Sequence, residues 1–181
     1  MRRWIQVCLA CALFWGALDV ASSESVPPIA YKYRNDLIRT SRFVFGLTAP
    51  SATFGAQIHA ESHWDANARS RAGAVGLSQF IPSTSRYMGR RYADLRSVAP
   101  LTPAWSLLAL ARYNWENWQH LHALEAQPCL RMKMTLASYN AGPGVLKRKR
   151  WPRETQRYVY RILQVLEPVY VAKGWGLGSC H

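Results

Sequence analysis

Apolar residues recur at helical spacing along most of the chain. Tyr33, Leu37, Val44 and Phe45, between Tyr31 and Leu47, predict a first helix. Ser51 reads as the N-cap of a second, from about Ala52 to Ser62, in which Phe54, Ile58 and Glu61 share a face at spacings of four and three. Thr102-Pro103 is an N-cap followed by proline at the first helical position. The helix it opens is expected to reach about Leu124, with Leu107, Leu108, Ala111, Trp115 and Trp118 on its buried side. A further helix spans Leu130 to Tyr139 and stops at Asn140-Ala141-Gly142-Pro143. Pro152 opens the last, where Val159, Ile162, Leu163 and Leu166 form a stripe between polar and charged positions. Strand-like alternation is rare and no internal repeat is visible. The pattern predicts a mainly α single domain of five or six helices with little or no sheet.

The regular pattern breaks after Glu61. The chain becomes rich in Ser, Gly, Asn and Ala, with Gly73 and Gly76 suited to the positive φ of tight turns. Ser70 and Gln79 lie in segments able to fold back over Glu61. A carboxyl ending an apolar helical segment is costly to ionise, because burial disfavours the charged form and raises the pKa. A carboxyl so raised is what a general acid needs near neutral pH.

The N-terminus changes what counts as the working chain. Arg2 and Arg3 precede an apolar run from Trp4 to Leu18, and small residues follow at Val20, Ala21, Ser22 and Ser23. This is the layout of a secretory signal peptide covering residues 1–23, which leaves 24–181 as one domain, periplasmic or secreted. The alternative is a membrane anchor, for which the run is short of the usual ~20 residues. Without residues 1–23, Cys8 and Cys11 are gone and Cys129 and Cys180 remain. Two cysteines in an exported protein point to one disulfide; two free thiols are the other reading.

Charge narrows the partner. Lys and Arg total 23 against 10 Asp and Glu, a formal net charge of +13. Such an excess implies an acidic partner or surface. Nucleic acid is the common choice, but export argues against it and favours an anionic wall or membrane surface. The run Lys147-Arg148-Lys149-Arg150 is either part of that surface or a solvated turn before Trp151.

Three ordered motifs then carry a resemblance. They are Glu61-Ser62, Ser70 and Gly73-Ala74-Val75-Gly76-Leu77-Ser78-Gln79 with Pro82-Ser83-Thr84; Ala137 to Gly144, "ASYNAGPG"; and Pro152 to Val159, "PRETQRYV". Together they resemble the soluble lytic transglycosylase (SLT) family of the lysozyme-like superfamily, over about Ser51 to Leu166. The resemblance implies Glu61 as the single catalytic acid/base. It implies Ser70 near the reacting sugar, Gln79 closing the loop, Tyr139 and Asn140 lining the cleft, and Tyr158 close to the carboxyl. The plain readings are core packing for Tyr139 and Tyr158, helix termination for Asn140, and a helix cap for Glu154. Ser78 and Ala66 depart from the family's frequent Met and Pro, which alters a cleft-lining contact and loosens a turn.

The implied reaction cleaves the MurNAc–GlcNAc bond of peptidoglycan glycan strands and closes a 1,6-anhydro ring. It needs no metal or cofactor and suits a monomer. His59 and His63 form only a weak metal-like pair. Asp65 is the nearest candidate for a second carboxylate, although Asp-Ala-Asn-Ala reads as a turn. The competing functions are a lysozyme-type hydrolase, a non-catalytic cationic wall-binding protein, and a cationic membrane- or nucleic-acid-active protein.

Overall fold

The computed structural model describes residues 24–98, 101–122 and 127–180. The signal-peptide expectation, for residues 1–23, lies outside the described residues, as do Leu124 and His181. A 3₁₀ turn, Pro28–Tyr33, leads into α1, Arg34–Phe45, and then α2, Ser51–Ser62. A long loop precedes α3, Pro82–Arg91, and the short α4, Ala93–Arg96. Next come α5, Pro103–His120, and α6, Pro128–Ala141, followed by a 3₁₀ turn at Pro143–Lys147. The last helical body joins α7, Arg153–Tyr160, through a π-helical stretch, Arg161–Leu166, to α8, Glu167–Ala172. Among the described residues the only β pairing is two isolated bridges, Arg69 with Val75 and Val75 with Phe80. The mainly α expectation holds.

α2 is the axis of the fold. Its residues from Ser51 to His59 are all buried, so it is enclosed on every side instead of presenting one apolar face. α1, the π-helical stretch and α8 surround it. Close approach is possible because Gly55 has no side chain: a Cβ there would lie 2.7 Å from Tyr170 Cδ1 and 3.2 Å from Trp175 Cε3. Tyr170 and Trp175 meet edge to face at 4.9 Å, and Trp64 packs 5.3 Å from Trp175.

Several sequence expectations are corrected. Ser51 is not an N-cap. Pro50 occupies that position, its carbonyl accepting from the Phe54 amide at 3.1 Å, and Ser51 is a buried first residue. The free Ala52 amide is satisfied by the Leu177 carbonyl at 3.0 Å, so the C-terminal tail does the work expected of a cap. On α5, Thr102 does cap, accepting from the Trp105 amide at 3.3 Å. Its buried stripe is rotated, however: Leu107, Leu110, Ala111 and Asn114 are buried, while Leu108, Trp115 and Trp118 are half-buried. The two tryptophans cover the Phe45 ring from outside, at 4.9 and 6.4 Å. α5 ends at His120, short of Leu124.

The stripe Val159, Ile162, Leu163 and Leu166 is buried as expected. The π-helical stretch was not expected, and Pro168 accounts for it. A proline inside a helix lacks an amide donor and its ring meets the carbonyl four residues back, here Gln164, so the preceding turn widens. Cys129, in the first turn of α6, is joined to Cys180 of the tail in a disulfide.

Candidate active site

Glu61 sits in the last turn of α2, where the chain reverses through two consecutive left-handed residues, His63 (φ 52°) and Trp64 (φ 66°). That conformation costs a non-glycine residue of order 1–3 kcal/mol and persists only when neighbours enforce it. Trp64 supplies the enforcement. It is fully buried, donates from Nε1 to the Tyr170 hydroxyl at 2.6 Å, and stacks on Tyr33. Asp65 follows in an exposed turn, its Oδ1 accepting from the Asn67 amide at 2.8 Å.

The loop then folds back on α2. Ser62 Oγ donates to the Leu77 carbonyl at 2.8 Å and staples the loop to the end of the helix. Gly73 and Gly76 take φ of 79° and 76°. A side chain on Gly76 would be strained by that φ and would also meet Ser106 Oγ at 3.2 Å. Ser70 is exposed, and its hydroxyl accepts from the Ala74 amide at 3.0 Å, holding the loop's own turn. Ser78 does not line the cleft as expected: it is buried and donates to the Ser106 carbonyl at 2.9 Å, pinning the loop to α5. Gln79, also left-handed (φ 48°), donates from Nε2 to the carbonyls of Ala68 (3.2 Å) and Gly76 (3.0 Å).

Two tyrosines complete the surroundings. Tyr158 of α7 donates to Glu61 Oε1 at 2.6 Å and accepts from Gln57 Nε2 at 3.1 Å. Gln57 Oε1 in turn accepts from Asn114 Nδ2 at 2.6 Å. The result is a chain, Asn114 to Gln57 to Tyr158 to Glu61, drawn from α5, α2 and α7, buried at Asn114 and Gln57 and half-buried at Tyr158 and Glu61. Gln57 and Asn114 were not singled out from the sequence. The available signal was spacing: Gln57 is one helical turn before Glu61 on the same face. Tyr139 of α6 donates to the Ser78 carbonyl at 2.7 Å and packs against Phe80 and Tyr113 at 5.6 and 5.3 Å. Asn140 is exposed and serves α7, its Oδ1 accepting from Thr155 Oγ1 at 2.9 Å.

Burial pushes the Glu61 carboxyl up from the ordinary 4.5 to about 7, against a downward pull from the Tyr158 hydrogen bond. Tyr139 and Tyr158 are held well above the usual tyrosine range by burial and then by the Glu61 charge. Both therefore remain neutral, and Tyr158 keeps its proton for Glu61. A carboxyl near 7 is half-protonated at neutral pH, able to give a proton and take one back.

A hollow of about 380 Å³ opens between Gln79, Tyr139 and Asn140. It shares Thr84 and Tyr113 with a second hollow of about 520 Å³ that reaches Glu116 and His120. The two hollows adjoin at these residues. Glu116, another residue the sequence did not flag, accepts from the hydroxyls of Tyr87 and Tyr92.

Losing the Tyr158 hydroxyl is expected to reduce turnover about tenfold, the worth of a hydrogen bond to a charged group. The hydroxyl favours ionised Glu61, so Tyr158→Phe raises the Glu61 pKa. The high-pH fall in activity, where the acid loses its proton, then moves to higher pH. A pH–rate profile checks this; a limb that stays put or moves down contradicts it.

The helical fold, with a desolvated carboxyl at the end of α2 held by Tyr158, agrees with the resemblance carried by the sequence motifs. Residues 48–160 match the family model described as the transglycosylase SLT domain, and the chain belongs to that family. Among solved structures it is similar to an inactive mutant of the lytic transglycosylase Slt from Pseudomonas aeruginosa, with a TM-score of 0.65 and 21% identity over 84% of this chain and 26% of that one. It is also similar to the 70 kDa soluble lytic transglycosylase from Escherichia coli, with a TM-score of 0.62 and 23% identity over 81% of this chain and 25% of that one. The chain thus spans about a quarter of those proteins' length.

Proposed function

We propose that the protein is a peptidoglycan lytic transglycosylase with Glu61 as its acid/base. The observation that carries this reading is the Glu61 carboxyl, held near 7 and oriented by Tyr158. The other nearby acids have different partners: Asp65 closes its own turn and Glu116 is tied to two tyrosines. A glycosidase with two working carboxylates places them about 5–9.5 Å apart on either side of the bond. A single carboxyl suits a route in which the substrate supplies the rest.

In that route protonated Glu61 gives its proton to the oxygen between MurNAc and GlcNAc, and that bond breaks. The N-acetyl group of the MurNAc stabilises the positive charge at C1. Ionised Glu61 takes the proton of the C6 hydroxyl of the same sugar, whose oxygen bonds to C1 and closes the 1,6-anhydro ring. The nucleophile is already tethered to its target, which removes the entropic cost of bringing it there. Tyr158 holds the carboxyl through both transfers. Gln79, Tyr139 and Asn140 shape the cleft for the strand, and Ser70 holds the turn at the loop's outer end.

The substrate places the protein outside the cytoplasm, periplasmic or secreted, and no described helix is long and apolar enough to cross a membrane. The net charge of +13 assists association with an anionic wall, and the chain works as a monomer. Digestion of peptidoglycan in ¹⁸O-labelled water separates this reading from a hydrolase on the same fold. Transglycosylation incorporates no label at the new ends, whereas label there identifies water as the nucleophile. No cleavage at all would leave the wall-binding alternative.

A further inference from the structure

A second concave surface lies on the face of α7 turned away from Glu61. Tyr158 points to the carboxyl; Tyr160, two residues on, is rotated about 200° around the helix axis and is 63% exposed. Between α7 and α6 there is a groove of about 400 Å³, bounded by Lys133, Trp151, Gln156, Tyr160 and Gln164. Its floor is the buried Val159 and Leu163. The Gln156 amide donates to the Trp151 carbonyl at 2.7 Å and fixes that wall of the groove to α7.

The surroundings are cationic. Trp151 directly follows the exposed run Lys147-Arg148-Lys149-Arg150, and Arg153 and Arg157 are exposed on α7. The one acid between Pro128 and Leu166 is Glu154. Among the described residues, the ion pairs are made by Arg39, His59, Arg112 and Arg161, so these six cations and Lys133 are left for a partner.

We infer that this groove is a second, non-catalytic binding site for an acidic glycan strand. The inference rests on the wall substrate proposed above. Aromatic walls offer flat apolar faces to sugar rings, side-chain amides offer donors and acceptors to hydroxyls, and the rim pairs with the carboxylates that peptide-bearing strands carry. A lipid surface fits less well, since Trp151 is half-buried in a concavity instead of projecting from the surface. The site holds the enzyme on the wall while the cleft opposite engages the strand to be cut, so binding and cleavage depend on different residues.

The test compares Tyr160→Ala, Lys133→Gln and the double variant with the wild type in three assays: sedimentation with insoluble peptidoglycan across a salt series, cleavage of short soluble glycan fragments, and flotation with vesicles containing an anionic phospholipid. The double variant is expected to bind insoluble wall about fivefold more weakly, about 1 kcal/mol, with a shallower salt dependence. Fragment cleavage stays within about twofold of wild type, since neither residue faces Glu61 and a substitution at a non-contacting surface site is near neutral. Unchanged wall binding overturns the inference, and so does a loss confined to the vesicles. A wild-type protein that binds wall but cuts no fragment contradicts the proposed function and leaves the groove result readable on its own.

Discussion

Replacing Glu61 with glutamine is expected to lower turnover by at least about 10²–10⁴-fold, because the same group gives a proton and takes one back. It is also expected to stabilise the fold at neutral and alkaline pH. The wild-type carboxyl has a folded-state value of about 7 against 4.5 in a free chain. Below pH 4.5 both states hold the proton and the group is silent. Between 4.5 and 7 the folded state keeps a proton that the unfolded state has released, so stability falls as pH rises. Above 7 the buried charge costs about 3 kcal/mol, and this cost is constant. Glutamine fills the same space without that cost. Thermal unfolding at pH 4, 6 and 8 should show the variant level with wild type at the lowest pH and more stable at the highest. A variant less stable than wild type at pH 8 would contradict the desolvated carboxyl.

Removing the Cys129–Cys180 bond is expected to be the most damaging change away from the site. The bond closes a separation of 51 residues, worth about 4 kcal/mol in the chain-entropy model. It also ties down a tail with structural duties. Leu177 caps α2, Trp175 fills the aromatic cluster against Gly55, and Ser179 donates to the buried Glu167 at 3.0 Å. The double change Cys129→Ala, Cys180→Ala should therefore lower denaturant stability by about 4 kcal/mol and loosen the Ser51 end of α2 with it. A loss below about 1 kcal/mol would mean that the tail packs without the bond.

Much of this architecture was legible because it rests on local rules. Thr102-Pro103 starts α5 and Gly142 follows the end of α6, each for a reason contained in a few residues. The stripe on the last helix needed only periodicity. α3 was missed because Met88 is its one buried residue, leaving no apolar pattern to read. Ser51 was misread because its amide neighbour's partner is a carbonyl 125 residues away, at Leu177. At the site, Glu61 was visible as an acid ending an apolar segment, and Gly73 and Gly76 as positions of positive φ. Gln57 and Asn114 were not, since a polar residue in a buried relay looks like any polar residue until α2 and α5 are side by side. Ser78 illustrates the converse: its neighbours in sequence belong to the loop, but its partner is the backbone of α5.

The most direct test of the central claim is mass spectrometry of the fragments released from peptidoglycan by the protein and by its Glu61→Gln variant, side by side. The protein should release fragments ending in 1,6-anhydro-MurNAc, each one water lighter than the corresponding reducing end, and the variant should release none above background. Reducing-end products from the wild type, or anhydro products at wild-type rate from the variant, would contradict it.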